Sequence, residues 1–312
     1  MKTKILIIVL IISLVKCCQS HEIITIDKLA DTTKITSHLT NITKTDKPRN
    51  YKNLSTLNFV ADYIYKEFKT YADTTYYQKY DVKGNEYKNV ISIFGSENEK
   101  TIVVGAHYDV AGNQQGADDN ASGTVALLEL ARMLKGQKLN YRIELVAYTL
   151  EEPPFFRTKQ MGSYIHAKSM KDNKVDLYGM VCLEMIGFFD DAKNSQTYPL
   201  SILKLIFGNK ANYITMVNKF GKGKFARKFS NQFKSKKLIK TKNFISPASL
   251  QGVDFSDHLN YWKFGYSAVM ITDTSFYRNE NYHKKTDTMD TLNIPKMASV
   301  ITSVYLTLIN LK

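Results

Sequence analysis

The chain has 312 residues, is 44% hydrophobic and 12% aromatic, and carries a formal net charge of +14. That length and apolar content suffice for one sizeable packed core, which excludes a disordered or low-complexity protein. The charge excess is spread thinly, with one dense cluster in "KFGKGKFARKFSNQFKSKKLIKTK" (219–242). Nucleic-acid binding has no motif beyond that charge.

The chain opens with "MKTKILIIVLIISLVKCCQS". Two lysines precede an apolar run from Ile5 to Val15, and that run is too short to span a bilayer. The pattern predicts a signal peptide over residues 1–20, cleaved near Ser20. The expectation is a secreted or periplasmic protein with no stable membrane insertion once the signal is removed. Removal takes Cys17 and Cys18 and leaves Cys182, so the mature chain has no internal disulfide to stabilise it.

Next, "IDKLADTTKITSHL" and "TLNFVADYIYKEFKTY" show helical apolar spacing. Two strand-like runs follow, "TTYYQKYDV" and "YKNVISIFG", around a Lys-Gly-Asn turn signal. "TIVVGAHYD" reads as a continuous buried strand. "SGTVALLELARMLKG" reads as an amphipathic helix with Leu127, Leu130, Ala131 and Leu134 on one face. "YRIELVAYTL", "GMVCLEMIGFF" and "SAVMITDT" are further strands, and 294–311 is a closing helix. This order predicts an α/β fold with a largely parallel sheet covered on both faces. The stretch at about 190–250 is polar, basic and weakly periodic, and is expected to be an insertion or lid over the sheet edge. The remaining expectation is one domain over residues 21–312.

In such sheets ligands bind beyond the carboxyl ends of the strands. His107 and Asp109 end one predicted strand, Glu151 and Glu152 another, and Glu184 a third. Asp118 and Asp119 follow in "GADDN", and His283 lies in "NYHKKTDT" after the last strand. Two imidazoles and several carboxylates converging on one cleft form the donor set of a borderline metal such as zinc. Asp109 can accept from the second ring nitrogen of His107 and set its tautomer. Glu184, inside an apolar run, needs a partner because a buried unpaired carboxylate costs several kcal/mol.

In these residues the sequence resembles the di-zinc peptidase family that includes bacterial leucyl aminopeptidases, aminopeptidase Y, glutamate carboxypeptidase II and the glutaminyl cyclases. The resemblance covers roughly residues 55 to 312 and rests on "GAHYDV", "GADDNASG", "LEE", "LEMIG", "SDH" and "NYHKKTDTMDTL", in the family's order. It implies a three-layer α/β sandwich with a mixed central sheet and two Zn²⁺ per chain. Asp119 would bridge the metals, with His107 and Glu184 completing one site and Glu152 and His283 the other. Glu151 would be the general base. Asp109 and Tyr282 join it in the candidate catalytic set, Tyr282 as a hydroxyl donor to the oxyanion. Many aminopeptidases of the family carry Asp where this chain has Glu184. Asp257 and His258 of "SDH" are assigned a structural part. The implied activity is hydrolysis of N-terminal residues from peptide substrates. The alternatives are a carboxypeptidase, a glutaminyl cyclase, or a non-catalytic binding domain.

Overall fold

The computed structural model describes residues 29–221 and 223–312. The predicted signal peptide lies outside the described residues.

Two helices, α1 (Thr32–Thr43) and α2 (Leu54–Tyr71), precede the hairpin of β1 (Thr74–Val82) and β2 (Asn85–Phe94). The Asp31 carboxylate caps α1 by accepting from the Thr33 and Lys34 amides. Then come β3 (Thr101–His107), α3 (Gly123–Leu134), β4 (Arg142–Tyr148), α4 (Gly162–Asp172) and β5 (Leu177–Glu184). A five-residue helix α5 (Leu203–Phe207), β6 (Ile214–Lys219), α6 (Lys224–Ser235) and β7 (Thr241–Ser246) follow. The chain closes with α7 (His258–Lys263), β8 (Ala268–Thr272) and α8 (Ile294–Asn310).

The eight strands form one sheet in the order β1-β2-β4-β3-β5-β8-β6-β7. Its centre, β4-β3-β5-β8, is parallel, whereas β1, β2 and β4 pair antiparallel and β6 runs antiparallel to β8. Every residue of β3 is buried, as two covered faces require. Alternation along β5 assigns the faces. Val181 and Leu183 pack with α1, α2, α3, α6 and α8, while Met180 and Cys182 pack with residues of α4 and α7. The result is a three-layer α/β sandwich.

The stretch expected as an insertion over the sheet edge differs from that expectation. Residues 214–246 supply the edge itself, as β6 and β7, with β6 parallel to β7. Helix α6 buries Phe225, Phe229 and Phe233 against the main core. Its lysines sit on the outer face of the helix, which is why the segment reads as basic and irregular while its phenylalanines join the core. No helix among the described residues is long and apolar enough to cross a membrane.

Candidate active site

The site grows from the ends of β3, β4 and β5. His107 ends β3, and Asp109 lies behind it. The Asp109 carboxylate is 3.5 Å from His107 Nδ1 and accepts the backbone N–H groups of Glu151 and Glu152, each at 3.2 Å. One buried acid thus orients the imidazole and fastens the loop after β3 to the loop after β4. Asp109 is therefore a positioning residue in this geometry, not one that faces the cleft. His107 Nε2 points the other way, 3.5 Å from Asp119 Oδ1, 3.4 Å from Glu184 Oε2 and 3.8 Å from Glu151 Oε2. Asp119 Oδ2 is 3.1 Å from His283 Nε2, and Glu152 Oε2 is 3.3 Å from the same nitrogen.

All five residues expected as ligands therefore meet, in overlapping groups of three. His107, Asp119 and Glu184 form one and Asp119, Glu152 and His283 another, with donor atoms within 4.8 Å of one another. Glu151 joins His107 and Glu152 in a third group of the same kind. Left-handed backbone at Leu150, Met185 and His283 (φ 60°, 47° and 57°) turns the chain sharply next to Glu151, next to Glu184 and at His283 itself.

The electrostatics ask for cations. Burial raises Glu184, and it pushes Glu152 up to about 7 and Glu151 well above the usual carboxylate range. Burial also opposes charge on the histidines, but the surrounding carboxylates win, taking His283 up to about 10 and His107 well above its usual value. Burial would raise Asp119 as well, yet the two imidazoles hold it below the ordinary range. Asp119 Oδ2 and Glu152 Oε1 are buried with no hydrogen bond. Imidazole nitrogens and carboxylate oxygens with such open lone pairs are the donors that divalent zinc takes. The donors present therefore fit a divalent metal such as zinc.

A supporting layer aims these donors. Ser256 Oγ donates to Glu184 Oε2 at 2.6 Å, and Asn120 Nδ2 reaches the same oxygen at 3.3 Å. The Asp287 carboxylate, pushed up to about 8 by burial, accepts the backbone N–H groups of Asp118 and Asp119 at 2.8 and 3.1 Å. Asp118 itself turns away from the cleft, its two oxygens taken by the Gly187 amide and the Asn279 side chain. The buried Arg49 guanidinium donates to the carbonyls of Tyr108, Gln115 and Gly116 and holds the loop between His107 and Asp119. His258 donates to the Val253 carbonyl at 2.8 Å and meets Trp262 edge-on, so it packs rather than binds. Burial pushes Asp257 up to about 7, against the pull of His107. The parts of Arg49, Asn120, Ser256 and Asp287 were not read from the sequence. Three of them sat inside or beside quoted motifs, whereas Arg49 carried no signal.

A cleft of about 300 Å³ opens from Asp119, Glu151, Glu152, Glu184 and His283 across the face of the sheet. Tyr282 lines it and stacks on His283, with ring centroids 3.8 Å apart.

Residues 89–307 match peptidase family M28. The chain is also 40% identical over 279 residues to the uncharacterized protein YfbL of Escherichia coli (strain K12), covering 87% of this chain and 85% of that one. The chain belongs to peptidase family M28. Within it, the chain is 28% identical over 218 residues to a probable leucine aminopeptidase of Arthroderma otae, covering 65% of this chain and about half (51%) of the fungal protein. Two solved structures share the M28 fold. The Legionella pneumophila LapA aminopeptidase superposes with TM-score 0.69 at 19% identity, over 91% of this chain and 73% of that one. A Bacteroides thetaiotaomicron glutaminyl cyclase superposes with TM-score 0.66 at 18% identity, over 91% and 99%.

Proposed function

We propose that this M28 protein is an exported two-zinc aminopeptidase that removes single residues from the free N-termini of peptides. The observation that carries the reading is Asp119, whose two oxygens face His107 and His283 within two separate donor groups. Relatives named as leucine aminopeptidases support it, and the signal-like N-terminus supports export.

His107, Asp119 and Glu184 would hold one ion, and Asp119, Glu152 and His283 the other. Bound there, zinc supplies Lewis acidity toward a water molecule and the scissile carbonyl. Glu151 takes the proton from the attacking water and passes it to the leaving amine. Asp109 keeps the His107 ring in place throughout. The Tyr282 hydroxyl, beside His283, donates to the oxygen on which negative charge develops. The substrate's protonated α-amine pairs with a cleft carboxylate, which sets the cut one residue from the end.

A glutaminyl cyclase is the second reading, favoured by structures of that activity with the same fold. Two experiments separate the readings. Metal analysis of the purified protein should give two zincs per chain. A peptide amide with a free N-terminus should lose its first residue, and its N-acetylated twin should survive. Conversion of a glutaminyl peptide to its pyroglutamyl form would favour the cyclase. A ladder shortening from the C-terminus would mean a carboxypeptidase and overturn the reading.

A further inference from the structure

The floor of the cleft carries four residues in one cross-strand row. Glu184 on β5 pairs with Thr272 on β8, Thr272 with Thr215 on β6, and Thr215 with Lys242 on β7. Residues paired across a sheet project from the same face, and all four line the cleft. At about 4.8 Å per strand spacing, the row places the backbone of Lys242 about 14 Å from that of Glu184. One end of the cleft is acidic, and this ammonium marks the other.

Lys242 is a cation without an anion. Among the described residues its Nζ makes no hydrogen bond or ion pair. It stands 3.5 Å from the Tyr213 ring centroid and 5.8 Å from that of Phe207. Burial, and then the nearby cations Lys240 and Arg278, push its ammonium down to about 8. Arg278 donates through Nε and Nη1 to Gln196 Oε1 and the Tyr213 carbonyl, leaving its buried Nη2 without a hydrogen bond. The Tyr213 ring face attracts the ammonium, but burial and the neighbouring cations oppose its charge, and an anion arriving in the cleft offsets that cost. A lysine is a point charge on a flexible stem, so it accepts a carboxylate without demanding one orientation.

We propose that Lys242 is an anion subsite, receiving a carboxylate carried by the substrate at the end remote from the metal ligands. The proposal rests on the aminopeptidase reading for the direction in which the peptide lies. Extended chain spans about 3.3–3.6 Å per residue, so two or three residues bridge the interval once the lysine side chain reaches back. The carboxylate can be the C-terminus of a short peptide or the side chain of an acidic residue.

The test is equilibrium binding by calorimetry to the zinc-loaded protein carrying Glu151→Gln, so that turnover is not needed. Four probes are used: Leu-Gly-Gly, its C-terminal amide, Leu-Gly-Glu amide and Leu-Gly-Gln amide. We expect at least one acid to bind tenfold or more tighter than its neutral twin. A preference in the first pair assigns the C-terminal carboxylate, and one in the second pair assigns the side chain. Lys242→Met should remove the preference without weakening the neutral twin, and Lys242→Arg should restore it. Lys242→Gln serves as a second neutral variant should the methionine prevent folding. Equal binding within each pair, a preference that survives loss of the charge, or no binding by any probe would overturn the subsite. Hydrolysis of a leucine chromogenic amide by the protein with native Glu151 reads the aminopeptidase separately. A retained carboxylate preference without that hydrolysis would sink the activity and leave the subsite standing.

Discussion

Asp119 and Glu151 both approach His107 Nε2, at 3.5 and 3.8 Å, yet their surroundings give them different work. Asp119 has an imidazole at each oxygen, whereas Glu151 approaches only the His107 ring and faces the cleft. Glu151→Gln should therefore retain both metals by elemental analysis while kcat falls by about 10²–10⁴ or more. Asp119→Asn should lose metal together with activity, because a neutral amide is a poor bridge between two cations. A metal-free Glu151→Gln protein would show that these roles are misassigned. At this scale His107, Glu152 and Glu184 were legible as candidate ligands because each follows an apolar strand, whereas Asp119 and His283 were legible only through the family resemblance. The support of Glu184 was not, because Ser256 lies 72 residues away in sequence, in the segment that leads into α7.

Among the elements, the start of α3 is the joint on which the site turns. Asp119 and Asn120 leave helical geometry just before it. Gly123 then brings the helix against the sheet. A Cβ there would lie 2.5 Å from the Leu183 carbonyl and 2.5 Å from Asn120 Oδ1. Leu183 belongs to β5 and cannot yield cheaply. Gly123→Ala should destabilise by about 1–3 kcal/mol, the usual range for overpacking. At this chain size that is a fall of several degrees in Tm by calorimetry. It should also weaken zinc binding, since Asn120 and Asp119 must shift with the helix. An unchanged Tm would mean that α3 is free to slide. The helix over 122–136 was legible from its apolar face. The strands at 214–219 and 241–246 were not, because each is six residues long and one lies at the exposed edge, where burial leaves no alternating pattern.

The whole molecule combines a basic chain, +14 overall, with a buried acidic centre. Without cations the centre must take up protons, as the raised Glu151, Glu152 and His283 indicate. Metal that binds the folded state alone stabilises it by linkage, by about 2.7 kcal/mol at a free concentration one hundred times Kd. EDTA should lower Tm and abolish activity, and added zinc should restore both. A melting curve unchanged after verified metal removal would show that the acids are accommodated without a cation. What the sequence determined by itself was the chemistry on offer. Apolar runs must be buried, so His107, Glu151, Glu152 and Glu184 had to emerge at strand ends, and their residue types named the class of ligand. What only the tertiary structure decided was pairing. Which acid stands between two histidines, which serine aims a glutamate, and how far Lys242 lies from the metal ligands all depend on strand order and register. Those are set by long-range contacts that no local pattern encodes.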